Sequence, residues 1–118
     1  MDDSKPIFVQ IAERIENDII SGALGEETQV PSTNELAAFY RINPATALKG
    51  VSTLVDEGVL YKKRGIGMFV AEGARERLVT QRRDRFEAEY VRPLIAEAAK
   101  LGITSTELAD LIRNGEKE

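Results

Sequence analysis

The sequence predicts a mainly α-helical chain with a small β-hairpin, a winged helix-turn-helix followed by a C-terminal helical tail. Three observations predict it. Ile7, Ile11, Ile15 and Ile19 recur at helical spacing near the start. Two helix-opening signatures, Ser32-Thr33-Asn34-Glu35 and Asn43-Pro44, follow in close succession. A pair of short β-prone runs with a glycine-rich tip comes directly after them.

The isoleucines define an amphipathic helix over residues 7–21, with Phe8 and Ile20 widening its apolar stripe. Pro6 suits its first turn and Gly22 its end. Residues 23–30 read as a loop. Ser32 and Glu35 form a capping box, each side chain placed to satisfy the other's backbone N–H. The short helix they open runs from about Thr33 to Tyr40 and offers Leu36, Ala37 and Tyr40 to a core. Arg41-Ile42-Asn43-Pro44 is a tight turn. Asn43 then caps a helix running to Asp56 or Glu57, with Pro44 fixing its first φ angle. Spacing the residues at 100° puts Leu48, Val51 and Val55 on one side and Thr46, Lys49 and Thr53 opposite. Gly50 lies beside the latter, where two readings stand level: close approach to a nucleic acid, or tight packing against another helix.

Val59 to Lys63 and Met68 to Val70 are strand candidates joined through Arg64-Gly65-Ile66-Gly67, giving a hairpin with a basic shoulder. Gly65 and Gly67 lack a third glycine and a βαβ setting, so they read as a sharp turn and not a nucleotide loop. From Arg75 to about Leu101 the pattern is helical, with Arg83–Glu87 and Arg85–Glu89 as i,i+4 pairs and a bend at Pro93. Thr104-Ser105-Thr106-Glu107 is a second capping box, opening a short helix with Leu108, Leu111 and Ile112 inward. The expected division is residues 1–73 for the winged helix and 74–118 for the tail.

Composition narrows the function. The chain has 118 residues, 42% hydrophobic and 31% charged, enough to bury a core. It has no cysteine and no histidine. Disulfides, thiolate or imidazole ligands and imidazole-based triads are therefore excluded, and no enzymatic activity, cofactor or metal is expected. Glu87, Glu89, Glu97 and Asp110 read as surface ion-pair partners, since arginines are interleaved with them. Tyr61 and Tyr90 read as packing residues. No apolar run approaches membrane-spanning length, and the acidic start Met1-Asp2-Asp3 does not look like a signal peptide, so a cytoplasmic protein is expected.

The net charge is −4, yet its distribution is uneven. Residues 1–35 hold two basic residues against eight acidic ones. Residues 36–71 reverse this, with Arg41, Lys49, Lys62, Lys63 and Arg64 against Asp56 and Glu57. A local basic patch on an acidic chain suits binding to phosphate. A helix-turn-helix places its second helix in the major groove of DNA, and a hairpin after it makes a wing. Backbone N–H groups near Ser32, Thr33 and Asn43 would position phosphates. Thr46 and Lys49 would reach base edges or nearby phosphates. Lys62, Lys63 and Arg64 would supply phosphate contacts, with Arg64 beside Gly65 placed for a narrow minor groove. Arg82, Arg83 and Arg85 read as a solvated helix face.

Residues 6–70 resemble the GntR family of bacterial winged-helix transcription regulators. The matching residues are Pro6-Ile7-Phe8 with Gln10-Ile11, Ile19 with Gly22 and Leu24, Val30-Pro31-Ser32, Glu35-Leu36-Ala37, and Gly65-Ile66-Gly67-Met68-Phe69-Val70. Ile42-Asn43-Pro44-Ala45-Thr46-Ala47 resembles the YtrA-like branch, which has Asn-Pro where most of the family has Ser-Arg. The short tail fits that branch as well. The resemblance implies a homodimer that binds a double-stranded DNA operator and usually represses. It carries over to Ser32, Thr33, Asn43, Thr46, Lys49, Arg64, Gly65 and Gly67. The chain departs from the family's pattern at Asn34, where arginine is common, and at Glu26-Glu27, where Pro-Gly is usual.

The tail carries Phe86, Tyr90, Val91, Leu94, Ile95, Ala98 and Leu101 before its last helix, and Leu108, Leu111 and Ile112 within it. A chain of this size cannot bury that stripe alone, and antiparallel pairing with a second copy would cover it. Two recognition helices would then lie roughly 34–36 Å apart or a multiple of that, facing a pseudo-palindromic site. The alternative is a tail folded back on a monomer. A competing function is a winged-helix protein–protein interaction module, disfavoured by the acid-free stretch from Pro44 to Val55. The sequence names no small-molecule effector. Were one to bind, a groove between tail and winged helix is the expected place.

Overall fold

The computed structural model describes residues 4–117; Met1-Asp2-Asp3 and Glu118 lie outside the described residues. The elements are α1 (Ile7–Ser21), α2 (Thr33–Tyr40), α3 (Pro44–Asp56), β1 (Leu60–Lys63), β2 (Gly67–Val70), α4 (Ala74–Phe86), a π-helical segment (Glu87–Val91), α5 (Arg92–Lys100) and α6 (Ser105–Gly115). They form two compact units, one reaching to Val79 and one starting at Thr80.

In the first unit, α1 buries Ile11, Ala12, Ile15 and Ile19. Ile7 is the exception to the expected stripe. It remains 42% exposed because it opens the helix, ahead of the turn that meets the core. Pro6 stands one position earlier than expected, as the N-cap, and its carbonyl accepts the N–H groups of Val9 and Gln10. Gly22 ends the helix in the left-handed conformation, with φ 88°. The capping box of α2 forms in both directions: Ser32 Oγ accepts from Glu35 N at 3.1 Å, and Glu35 Oε1 accepts from Ser32 N at 3.2 Å. Asn43 Oδ1 accepts from Ala45 N at 2.8 Å and so caps α3.

The rotational phase of α3 differs from the sequence expectation. Its buried face is Ala47, Gly50, Val51 and Leu54. Leu48, expected on the core side, is 49% exposed. Thr46 and Thr53, expected to face outward, are half-buried, and Thr53 Oγ1 donates to Lys49 O at 2.9 Å. The small residues Ala47 and Gly50 let α1 come close, and that contact sets the helix's rotation. An argument from hydrophobicity alone favours the larger Leu48 and Val55.

The hairpin is antiparallel, with Leu60 opposite Val70, Tyr61 opposite Phe69, Lys62 opposite Met68 and Lys63 opposite Gly67. The end of the expected 23–30 loop adds to it. Val70 N donates to Thr28 O at 3.0 Å, Val30 N to Met68 O at 2.9 Å and Glu27 N to Val70 O at 2.8 Å. This segment, apolar only at the buried Val30, has no alternating pattern of its own, and the outer edge of β2 holds it extended. Leu54, Leu60 and Val70 share one core with α1 and α2, which fixes the hairpin relative to α3. The first two turns of α4 close that core with Ala74 and Leu78.

In the second unit, the bend expected at Pro93 takes the form of the π-helical segment. Proline offers no N–H to the turn before it and crowds the carbonyl there. The chain accommodates this by widening the turn, and Arg92 N–H bonds back to Glu87 O. The same widening changes the ion pairs. Glu87 lies 3.9 Å from Arg92, five positions on, and the expected Arg83–Glu87 pair does not form. The Arg85–Glu89 pair does form, at 3.8 Å. The Thr104–Glu107 capping box closes as expected. Ala98 is buried, so it has little surface left for a partner. Leu111 and Ile112, expected inward, are 58% and 51% exposed. Phe86, Tyr90, Leu94, Ile95 and Leu101 are exposed as well, while Val91 and Leu108 are half-buried.

Candidate nucleic-acid interface

The basic residues of 36–71 fall on three supports. Arg41 ends α2 in the left-handed conformation, with φ 56°, inside the turn between the two helices. Lys49 stands on the exposed side of α3, and Lys62, Lys63 and Arg64 lie on the hairpin and its tip. Among the described residues, none of these five makes an ion pair. Elsewhere in the chain Arg14, Arg85, Arg92, Lys100 and Arg113 each have a carboxylate within 4 Å, Arg75 and Arg77 bond to backbone carbonyls, and Arg82 and Arg83 on α4 make no ion pair among the described residues either. A positive charge left without an internal partner is available to an external anion.

Two of the five are held over aromatic rings. Lys49 Nζ sits 4.1 Å from the centre of the Phe8 ring on α1, and Lys63 Nζ sits 4.3 Å from that of Phe69. A cation over a ring keeps its charge while losing some of its freedom, so it is aimed without being neutralised. Strand alternation separates Lys62 from Lys63. Lys63 shares a face with Tyr61 and Phe69, and Lys62 projects on the side of Leu60 and Met68.

The tip is braced. Gln29 Nε2 donates to Ile66 O at 3.0 Å, and Ile66 N donates to Lys63 O at 2.9 Å. The backbone at Gly67 has φ 146°, which favours glycine, and a Cβ there would displace the amide end of Gln29, 2.5 Å away, from its bond to Ile66. Tyr61 anchors the base of the same sheet, its hydroxyl donating to Glu27 Oε2 at 2.5 Å. That bond to a carboxylate, with some desolvation and the charge of Glu27, raises the phenol pKa above its ordinary value.

Gly50 does not face outward. A Cβ there would lie 2.7 Å from the carbonyl oxygen of Phe8, so its smallness serves the packing of α1 on α3. The exposed side of α3 instead presents Ala45, Leu48 and Lys49. Thr46 lies at its half-buried flank, towards the buried Gly50. The side chains of Ser32 and Asn43 are committed to their caps. The amides of Thr33 and Asn34, in the first turn of α2, have no acceptor within the helix. Phe8 and Gln29 are contributors that sequence reasoning missed, and it counts Arg41 in the basic patch without giving it a contact. Only Arg41 had a signal, its place in the turn.

The family model described as bacterial regulatory proteins, gntR family, matches residues 8–70. The chain belongs to the GntR family. It is similar to the HTH-type transcriptional repressor YtrA of Bacillus subtilis, at 29% identity over 93% of this chain and 84% of that protein. A GntR family transcriptional regulator from Listeria monocytogenes matches in structure with a TM-score of 0.76. Its identity is 27%, over 97% of this chain and 98% of that one. AraR's DNA-binding domain, solved in complex with operator ORX1, matches with a TM-score of 0.55 at 33% identity, covering 57% of this chain and 81% of that one. The protein is thus a GntR-family DNA-binding regulator with a winged helix, in a family of transcriptional regulators and not of enzymes. Among the described residues, no helix is long and apolar enough to cross a membrane.

Proposed function

We propose that this GntR-family chain is a homodimeric repressor of a pseudo-palindromic operator. In this reading α3 enters the major groove, with Lys49 and Ala45 towards the bases and Thr46 at the edge of the contact. The amides at the start of α2 meet phosphate beside Ser32 and Thr33, and Asn43 sets the angle at which α3 enters. Lys62, Lys63, Arg64 and Gly65 lie along the flanking backbone, with Gly67 keeping the tip sharp. Residues 1–73 carry the DNA contacts and 74–118 the pairing. The observation that carries this reading is that the turn, α3 and the hairpin gather five cations without a carboxylate partner among the described residues, in a stretch, 36–71, whose only acids are Asp56 and Glu57. The operator-bound AraR domain supports the choice of ligand, and the repressor YtrA supports the regulatory sign.

The pairing reading rests on the exposed Phe86, Tyr90, Leu94, Ile95, Leu101, Leu111 and Ile112. So much apolar surface in one short segment is characteristic of an interface. Selecting bound duplexes from a random pool tests the proposal. The expected product is one sequence recurring as two inverted half-sites, occupied by two chains. Recovery of unrelated sequences, or of a single half-site bound by one chain, would refute it.

A further inference from the structure

We propose that Leu48 is a specificity-determining residue that reads the C5-methyl group of a thymine in the operator half-site. The inference rests on the DNA-binding reading above and deepens it. Leu48 belongs neither to the core nor to the partly buried apolar residues packed against it, and it is 49% exposed. It stands one turn beyond Ala45 and next to Lys49, at the edge of the exposed side of α3, about 60° round the helix from the buried Val51. From Pro44 to Val55 the helix carries a single charged residue, Lys49, whose ammonium is drawn to one flank by the Phe8 ring. The exposed side from Ala45 to Leu48 is therefore hydrocarbon, with Ser52 the next polar group along it.

A leucine side chain can neither donate nor accept a hydrogen bond, so it distinguishes bases only by apolar contact. The thymine methyl is the one apolar group that the four base pairs display in the major groove. Ala45 adds a small methyl beside Leu48, which leaves room for the larger side chain to approach the base. Lys49 then serves a neighbouring acceptor or phosphate, and the two residues read different features of one site.

Deoxyuridine keeps every hydrogen-bonding group of thymidine and lacks only that methyl. The experiment takes the duplex recovered by selection, replaces its thymines by deoxyuridine one position at a time, and measures affinity at fixed salt. The expected result is a loss of about fourfold at one position of each half-site, the worth of one buried methyl. In Leu48→Ala, whose half-exposed position leaves the core untouched, thymine and uracil at that position should bind alike. A specific site whose affinity no deoxyuridine changes would overturn the inference and leave the DNA-binding reading intact. Sensitivity that persists unchanged in Leu48→Ala would do the same. Failure to recover any specific site would overturn both.

Discussion

Gly50 on α3 and Phe8 on α1 are in backbone contact: a Cβ on Gly50 would lie 2.7 Å from the Phe8 carbonyl oxygen and 3.3 Å from Ile11 Cβ. This crossing sets the rotation of α3, and with it which residues face outward. It also brings the Phe8 ring under Lys49.

Gly50→Ala therefore runs against helix propensity. On an exposed helix the change would stabilise by about 1 kcal/mol. Here the Cβ meets backbone, which cannot swing aside, and the substitution should destabilise by about 1–3 kcal/mol. Urea unfolding of the two proteins measures the sign. Stabilisation would mean that α1 and α3 do not cross at Gly50.

The Tyr61–Glu27 bond makes a spectroscopic prediction. The hydrogen bond to Glu27 favours the neutral phenol and raises its pKa above 10.0. A raised folded-state value means that the contribution to stability is present below the unfolded value near 10. It is lost as pH rises through the higher folded value. Followed by phenolate absorbance, Tyr61 should titrate above 10, and Glu27→Gln should bring that step down. A titration curve unchanged by Glu27→Gln would contradict the assignment.

The exposed apolar side chains beyond Val79 predict self-association. Leu94→Asp or Leu111→Asp places a charge in the proposed pairing surface, where burial without a partner is costly. Sedimentation should give two chains for the parent and one for each variant, with operator affinity falling in parallel. A parent that sediments as a single chain at micromolar concentration would contradict the pairing.

Much of this organisation was legible in the sequence because its signals are local. The Ser32–Glu35 and Thr104–Glu107 capping boxes, the Asn43-Pro44 opening and the Gly65–Gly67 tip each need only a few adjacent residues, and each forms as expected. The rotation of α3 was not legible, because it depends on how closely a distant helix approaches Gly50. The third extended segment at Thr28–Val30 was hidden for a similar reason: its partners are on β2, and the buried Val30 is its one apolar residue. The Glu87–Arg92 pair follows from the widened turn near Pro93. Sequence showed that the proline would disturb the helix but not the form the disturbance would take. The braces of the proposed interface, Phe8 under Lys49 and Gln29 on Ile66, join residues far apart in the chain.

The central claim is that the cations on α3 and the hairpin meet a duplex. The most direct measurement is operator affinity across a series of salt concentrations for the parent, Lys49→Ala and Lys63→Ala. Neutralised phosphates release counterions, so affinity should fall steeply and linearly on logarithmic axes. Lys63→Ala should weaken operator and random duplex together and reduce the slope by about one. Lys49→Ala should chiefly narrow the gap between operator and random duplex. A salt-independent affinity, or two variants that bind both duplexes as the parent does, would contradict the account.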